Sequence, residues 1–508
     1  MKPVSLSLTV LSISLCCAYL IKFLYKVWWK PIWIQSKMRS HGINGPPYRF
    51  LHGNTKEIMN IKKSTDRKPM EGLGLHIGPK VQPHIFSWIN TYGNTFVRWN
   101  GPKPELVITD LEILKEVMND KSGAFPKDDV EGYFKILLGD GLVVSSGEKW
   151  IKMRKLANHV FHANSLRDMT PTMVASVDMM LERWKQYEGK EIEVYEEFKL
   201  LSSDIISRTA FGSSYVEGKY IFQMVRKLTT IIARNAYKTR LPIFKTKDDA
   251  ESKIIDHMMR ESIMDIVKRR EKEASGEVDN FGVDFLGSLM KANHSIDHGY
   301  KVTIQDIIDE FKNFYIAGHE TTTGLLAWSI FLLAVHTDYQ EKAREESFKL
   351  FDKKNPNSDV LSRMKMITMI INETLRLFPP VLLLIRKSKH DVSLGALKIP
   401  GNVRLNFPIL FVHHDTQIWG EDAHLFKPER FSQGVAKATN NNPAMFIPFG
   451  LGPRSCVGSN FATNEAKIAL SMILQTYSFT LSPTYIHSPC ELLTICPKFG
   501  VPVFLCHL

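Results

Sequence analysis

Apolar positions recur three and four apart along most of the middle of the chain. GEKWIKMRKLANHVF, DMTPTMVASVDMMLERWKQY and TIQDIIDEFKNFYIAGHETTTGLLAWSIFLLAVH all follow this spacing with few breakers, which predicts long helices. Strand-like runs are short, FVRWN near residue 96 and VPVFL at the end being the strongest. Strands and helices do not alternate, so a doubly wound parallel sheet is not expected. The pattern predicts a mainly α fold with minor β.

The pattern changes at the N-terminus. From Pro3 to Ile21, PVSLSLTVLSISLCCAYLI runs for nineteen residues without a charge, which suits a membrane-spanning helix. Lys22, Lys26, Lys30, Lys37 and Arg39 follow, interleaved with Trp28, Trp29 and Trp33, a positive flank with interfacial aromatics. Only Lys2 precedes the run, so the charge balance puts the body on the cytosolic side and opposes a cleaved secretory signal, although CCA has the small residues of a cleavage site. Five serines and threonines in the run leave a helix lying at the interface as the alternative. HGINGPPYRFLHGN, residues 41 to 54, is rich in Gly, Pro and Asn and reads as a stiff hinge. The expected division is an anchor over 1–25, a basic flank and hinge over 26–54, and a functional body over 55–508.

With 508 residues, 44% hydrophobic and 23% charged, the chain can bury a large core. Its net charge of +12 comes with no basic helix or nucleic-acid motif, so a nucleic-acid partner is excluded and membrane lipid or an acidic protein face is favoured. Of six cysteines, Cys16 and Cys17 fall in the apolar run, and Cys490, Cys496 and Cys506 lie near the C-terminus. No spacing resembles a disulfide framework or a zinc site, as befits a reducing compartment.

The sixth, Cys456, sits in FIPFGLGPRSCVG, with the spacing Phe449, Gly452, Arg454, Cys456, Gly458. Gly450 and Gly452 permit a tight turn that can aim amide N–H groups at a sulfur. A coordinating thiolate needs such donors. Arg454 can reach an anionic group, Phe449 can shield the sulfur, and Gly458 would let a following helix approach. No Lys-Ser/Thr follows the glycines, so this is not a phosphate cradle.

These residues and those of AGHETT (317–322), ETLRLFPP, FKPERF and WIKMR resemble the cytochrome P-450 family over essentially the whole chain. GINGPPY, AGHETT and FIPFGLGPRSCVGSNFA look most like plant members of the clan containing secologanin synthase, although Thr463 and Asn464 depart from its usual pattern. The resemblance implies one large helical cytochrome P-450-type domain behind an N-terminal anchor helix, with Cys456 as the axial ligand of heme b. Glu320 and Thr321 would be the acid–alcohol pair supplying protons to oxygen, with Ala317 and Gly318 leaving room for it. HETTT is not a zinc motif, because Thr323 stands where a second histidine is required.

By the same resemblance, Trp150, Arg154, Arg386 and Arg454 would hold the heme propionates, and Glu373, Arg376 and Arg430 would form a structural network. Ala317, Leu382, Leu383, Leu384 and the loop 121–140 would line the substrate pocket. His413 and His414 read as locally hydrogen-bonded. The implied activity is O2-dependent monooxygenation of an apolar small molecule (terpenoid, steroid-like, fatty-acid-like or xenobiotic), with NADPH electrons arriving through a separate flavoprotein reductase at the endoplasmic reticulum membrane. A reductase-independent isomerase or dehydratase and a non-catalytic heme-binding membrane protein are the rival readings; the intact Glu320 and Thr321 oppose both.

Overall fold

In a computed structural model of the protein, residues 2–213, 215–238, 245–275, 277–295, 301–352 and 354–508 are described. One cluster of buried apolar side chains extends from Ile77 to Leu505, so the body is organised around a common core. Helix dominates and the sheets are small, as the periodicity implied.

The helices that matter for the site are α1 (Lys2–Leu24), α2 (Lys30–Ser40), α3 (Gly147–Val160), α4 (Val194–Phe211), α5 (Ile304–Val335), α6 (Lys365–Leu377) and α7 (Ser459–Thr476). α5 begins at a capping box: the Thr303 side chain accepts from the Asp306 N–H, and the Asp306 carboxylate accepts from the Thr303 N–H. Its 32 residues span roughly 48 Å through the core, packed by α4, α6 and α7.

A four-stranded sheet has the order β1 (Thr95–Asn100), β2 (Lys103–Ile108), β4 (Arg404–Pro408), β3 (Leu383–Lys387). β2 and β4 run parallel with Leu106 opposite Leu405; the other neighbours are antiparallel. Near the C-terminus β5 (Pro489–Glu491) and β6 (Ile495–Pro497) form a hairpin, and β7 (Pro502–His507) completes the chain. The two stretches expected as strands are β1 and β7.

Among the described residues one helix, Val10–Ser40, is long and apolar enough to cross a membrane. The end of this helix and residues 41–54 after it pack on the body. Val27, Pro31, Ile34 and Met38 turn one helical face onto it, and Ile34 and Met38 share a core cluster with Trp99 and Leu405. Trp28, Trp29, Ile32 and Trp33 remain exposed on the other face. Gly45 then passes so close to β1 that a Cβ would meet the Val97 carbonyl oxygen at 1.9 Å, and Val97 N–H donates to the Asn44 carbonyl. Its Gly and Pro residues serve close packing against the sheet edge.

Candidate active site

The cysteine loop is built by its glycines. Gly450 and Gly452 have φ of +74° and +73°, which side chains other than glycine rarely adopt. A Cβ on Gly452 would also lie 2.3 Å from the Met118 carbonyl oxygen. The turn closes where Cys456 N–H donates to the Phe449 carbonyl at 2.8 Å. Gly458 gives its N–H to the Cys456 sulfur, and a Cβ there would meet only that sulfur, at 4.0 Å. Among the described residues no other side chain or backbone crowds Gly458, so the start of α7 is open beside the sulfur.

Cys456 is accessible to solvent, yet burial pushes its thiol up, ahead of the lowering by Gly458 N–H and Arg154. The sulfur therefore lies at an opening whose surroundings disfavour the thiolate. α5 shows the same signature: Ala317 is exposed and Glu320 and Thr321 are half-buried inside a helix otherwise deep in the core. Thr321 donates its hydroxyl to the Ala317 carbonyl one turn back. Gly318 is half-buried beside Ala317, and a Cβ there would meet Ile206 of α4 at 2.8 Å, so the glycine admits the crossing helix.

Cations gather beside the loop without acids to pair them. Arg454 donates to the Ser145 carbonyl at 2.7 Å and stacks over Trp150. Arg154 donates to the Ser455 carbonyl and to Asn158. Among the described residues buried Arg386 donates only to its own strand, at the Ile385 carbonyl. Among the described residues none of the three has a carboxylate partner. Burial brings Arg386 down to about 10, and burial followed by Arg386 and Arg154 does the same to Arg454.

Lys127 joins them and was not expected. Its ammonium is pushed down to about 7 by burial first, then by Arg386 and Arg454. Its neighbours Asp128 and Asp129 disguise it in the sequence, and Asp128 is instead bound to Arg404. Four cations held close at this cost are a cradle for an anion of more than one charge.

The expected network is present and buried. Arg376 grips both oxygens of Glu373, at 2.7 and 2.8 Å, and Arg430 reaches the same carboxylate at 3.4 Å. Arg376 also donates to the carbonyls of His413 and Ala423 at 2.9 and 2.7 Å. His413, kept neutral by burial and Arg376 at about 3, accepts Ile447 N–H at 3.0 Å. The network thus reaches the cysteine loop through one histidine, and His414 bonds to the Leu377 carbonyl at the end of α6, so neither histidine is bonded locally, contrary to expectation.

The expected pocket residues are not one wall. Leu382 is 4% exposed within the core, whereas Leu384 lies 3.8 Å from where a Gly450 Cβ would stand. Strand alternation puts Leu384 on the face of Arg386 and Leu383 on the other.

A solvent-accessible sulfur in a glycine-built loop, with arginines beside it that have no carboxylate partner among the described residues, could hold an anionic group that takes a thiolate ligand. Over residues 63–498 the chain matches the family model described as Cytochrome P450. The chain belongs to the cytochrome P450 family. It is 57% identical to Cytochrome P450 CYP749A22 of Panax ginseng over 501 residues, 97% of this chain and 95% of that one. It is 38% identical to Cytochrome P450 734A1 of Arabidopsis thaliana, covering 97% and 95%, and 39% identical to 11-oxo-beta-amyrin 30-oxidase of Medicago truncatula, covering 95% and 94%. This P450 is therefore a monooxygenase that uses heme b, O2 and electrons from a reductase.

Proposed function

We propose that the protein is an endoplasmic reticulum P450, anchored by its first helix with the body in the cytosol, that oxidises a rigid apolar terpenoid. The boundaries 1–25, 26–54 and 55–508 describe anchor, flank and catalytic body. Heme, when bound, supplies the activation of O2. Cys456 gives it a thiolate, held by the Gly458 N–H and by the loop that His413 supports. Trp150, Arg154, Arg386, Arg454 and Lys127 receive its carboxylates. Glu320 and Thr321 move protons to the oxygen side. The electron donor is a separate NADPH-dependent flavoprotein, since this chain has no flavin or nicotinamide motif.

The observation that carries the reading is the set of cations beside the solvent-accessible Cys456 that have no carboxylate partner among the described residues. The substrate class rests on the relatives, one of which by name oxidises 11-oxo-beta-amyrin. The test is the carbon monoxide difference spectrum of the reduced membrane-expressed protein, followed by turnover of terpenoids with NADPH and reductase. A long-wavelength Soret band lost in Cys456→Ser is expected. Only a short-wavelength band in the wild type would refute the ligand assignment, and oxidation of fatty acids but no terpenoid would refute the substrate class.

A further inference from the structure

Cys490 and Cys496 are six residues apart in sequence and directly opposite each other on β5 and β6. Their sulfurs are 3.4 Å apart, already in contact, and a disulfide needs about 2.0 Å. Both line a cleft of about 670 Å³ that opens between the start of α4, α5 and this hairpin. Glu320 and His319 line the same cleft. Cys490 is half-buried and Cys496 is 4% exposed, so a small solute can reach the pair from one side.

We propose that Cys490 and Cys496 are a site of oxidative modification, a dithiol that hydrogen peroxide converts reversibly to a disulfide. The inference rests on the hairpin alone, independently of the heme reading. The two sulfurs are chemically unequal. Cys490 is the more open of the two, and the sulfur–sulfur hydrogen bond favours its thiolate over that of the buried Cys496. Cys490, reachable by peroxide, is therefore the sulfur that attacks. Its thiolate displaces one peroxide oxygen as water and becomes a sulfenic acid; the Cys496 thiol then displaces the second oxygen as water and forms the S–S bond. Two thiols and one peroxide give one disulfide and two waters. A dithiol reductant returns both thiols.

The bond would be felt at the site. Trp328 of α5 donates its indole N–H to the Ile495 carbonyl at 3.3 Å, and a Cβ on Gly324 would meet that carbonyl at 3.4 Å. The hairpin is thus seated on α5 one turn beyond Thr321. Drawing β5 and β6 together shifts the wall of the cleft that ends at Glu320.

The test uses the full-length protein in membranes, exposed to hydrogen peroxide, alkylated, digested with trypsin and weighed. The peptide from Ile468 to Lys498 contains both cysteines and no other. It is expected to lose the mass of two hydrogens, to resist alkylation at both sulfurs by at least about tenfold, and to recover with dithiothreitol. In Cys496→Ser, Cys490 should be trapped by a sulfenic-acid reagent; in Cys490→Ser, Cys496 should stay reduced under the same dose. Unchanged alkylation of both cysteines in the wild type would overturn the proposal, as would oxidation of Cys490 beyond sulfenic acid with the Cys496 thiol intact. The wild-type mapping decides the matter even where a variant folds poorly.

Discussion

The guanidinium carbon of Arg454 lies 4.0 Å from the centroid of the Trp150 ring. One residue belongs to the cysteine loop and the other to α3, so the stack clamps the two segments that flank the proposed heme edge. A partly desolvated cation–π pair is worth about 1 kcal/mol, or roughly fivefold. Trp150→Leu should therefore release heme about fivefold faster, followed as transfer to a colourless apo-globin. Arg454→Lys keeps the charge but not the planar fork and should show a comparable loss. An unchanged rate in both variants would remove the clamp from the account.

Lys127 makes heme binding pH-dependent. Its folded value, about 7, is far below the ordinary 10.5. Between those values the unfolded chain binds more protons, so the stability of heme-free protein rises with pH through that window. If two heme carboxylates bind beside Lys127, they would restore its charge, while Cys456 gives up its proton on becoming a thiolate at either pH. Binding of heme should accordingly release about one proton at pH 6 and close to none at pH 8, measured by calorimetry in buffers of different ionisation enthalpy. Lys127→Met should make the release equal at the two pH values.

The two glycines on either side of Cys456 differ in what they tolerate. Gly452→Ala meets both a positive φ and the Met118 carbonyl, and strain of about 1–3 kcal/mol should lower the melting temperature by several degrees and the yield of heme protein with it. Gly458→Ala keeps the N–H that faces the sulfur and meets nothing closer than 4.0 Å. It should retain the long-wavelength carbon monoxide band. Equal damage from both would contradict the loop geometry.

Glu465 of α7 is fully buried, accepts the Ser202 hydroxyl at 2.8 Å with one oxygen, and has no partner for the other. Burial pushes its carboxyl up to about 8. The folded state then holds a proton that the unfolded chain has lost, so stability falls as pH rises from the ordinary carboxylate range to about 8. Glu465→Gln should match the wild type at pH 5 and melt a few degrees higher at pH 8.5, in differential scanning calorimetry.

The long helices were legible because their apolar period is unbroken, and the cysteine loop because Gly450, Gly452 and Cys456 need not be seen in space to be understood. Residues whose role depends on distant segments were not. Lys127 reads as one charge among three until Arg386 and Arg454 are brought beside it. Cys490 and Cys496 lack any framework spacing, and only the hairpin register makes them a pair. The packing of Gly318 against Ile206 was not legible because a helix sequence does not say which face meets α4.

His319 Nδ1 lies 3.4 Å from Glu320 Oε1. Burial pushes the Glu320 carboxyl up, but His319, Lys199 and Arg226 outweigh it and hold the group below its ordinary value. Glu320 is thus a carboxylate at neutral pH, and it must receive each proton before passing it on. Glu320→Gln, which cannot carry one, should lower product formation about 10²-fold while leaving the carbon monoxide band and substrate-induced spectral shift intact. Reducing equivalents from NADPH should then appear as peroxide. His319→Gln removes the first of the lowering partners, so the value of Glu320 rises and its protonated fraction at a given pH grows. The pH profile of product formed per NADPH should move to higher pH. A profile superimposable on the wild type would limit His319 to packing against Phe222, 5.2 Å away, and leave water in the cleft as the proton source.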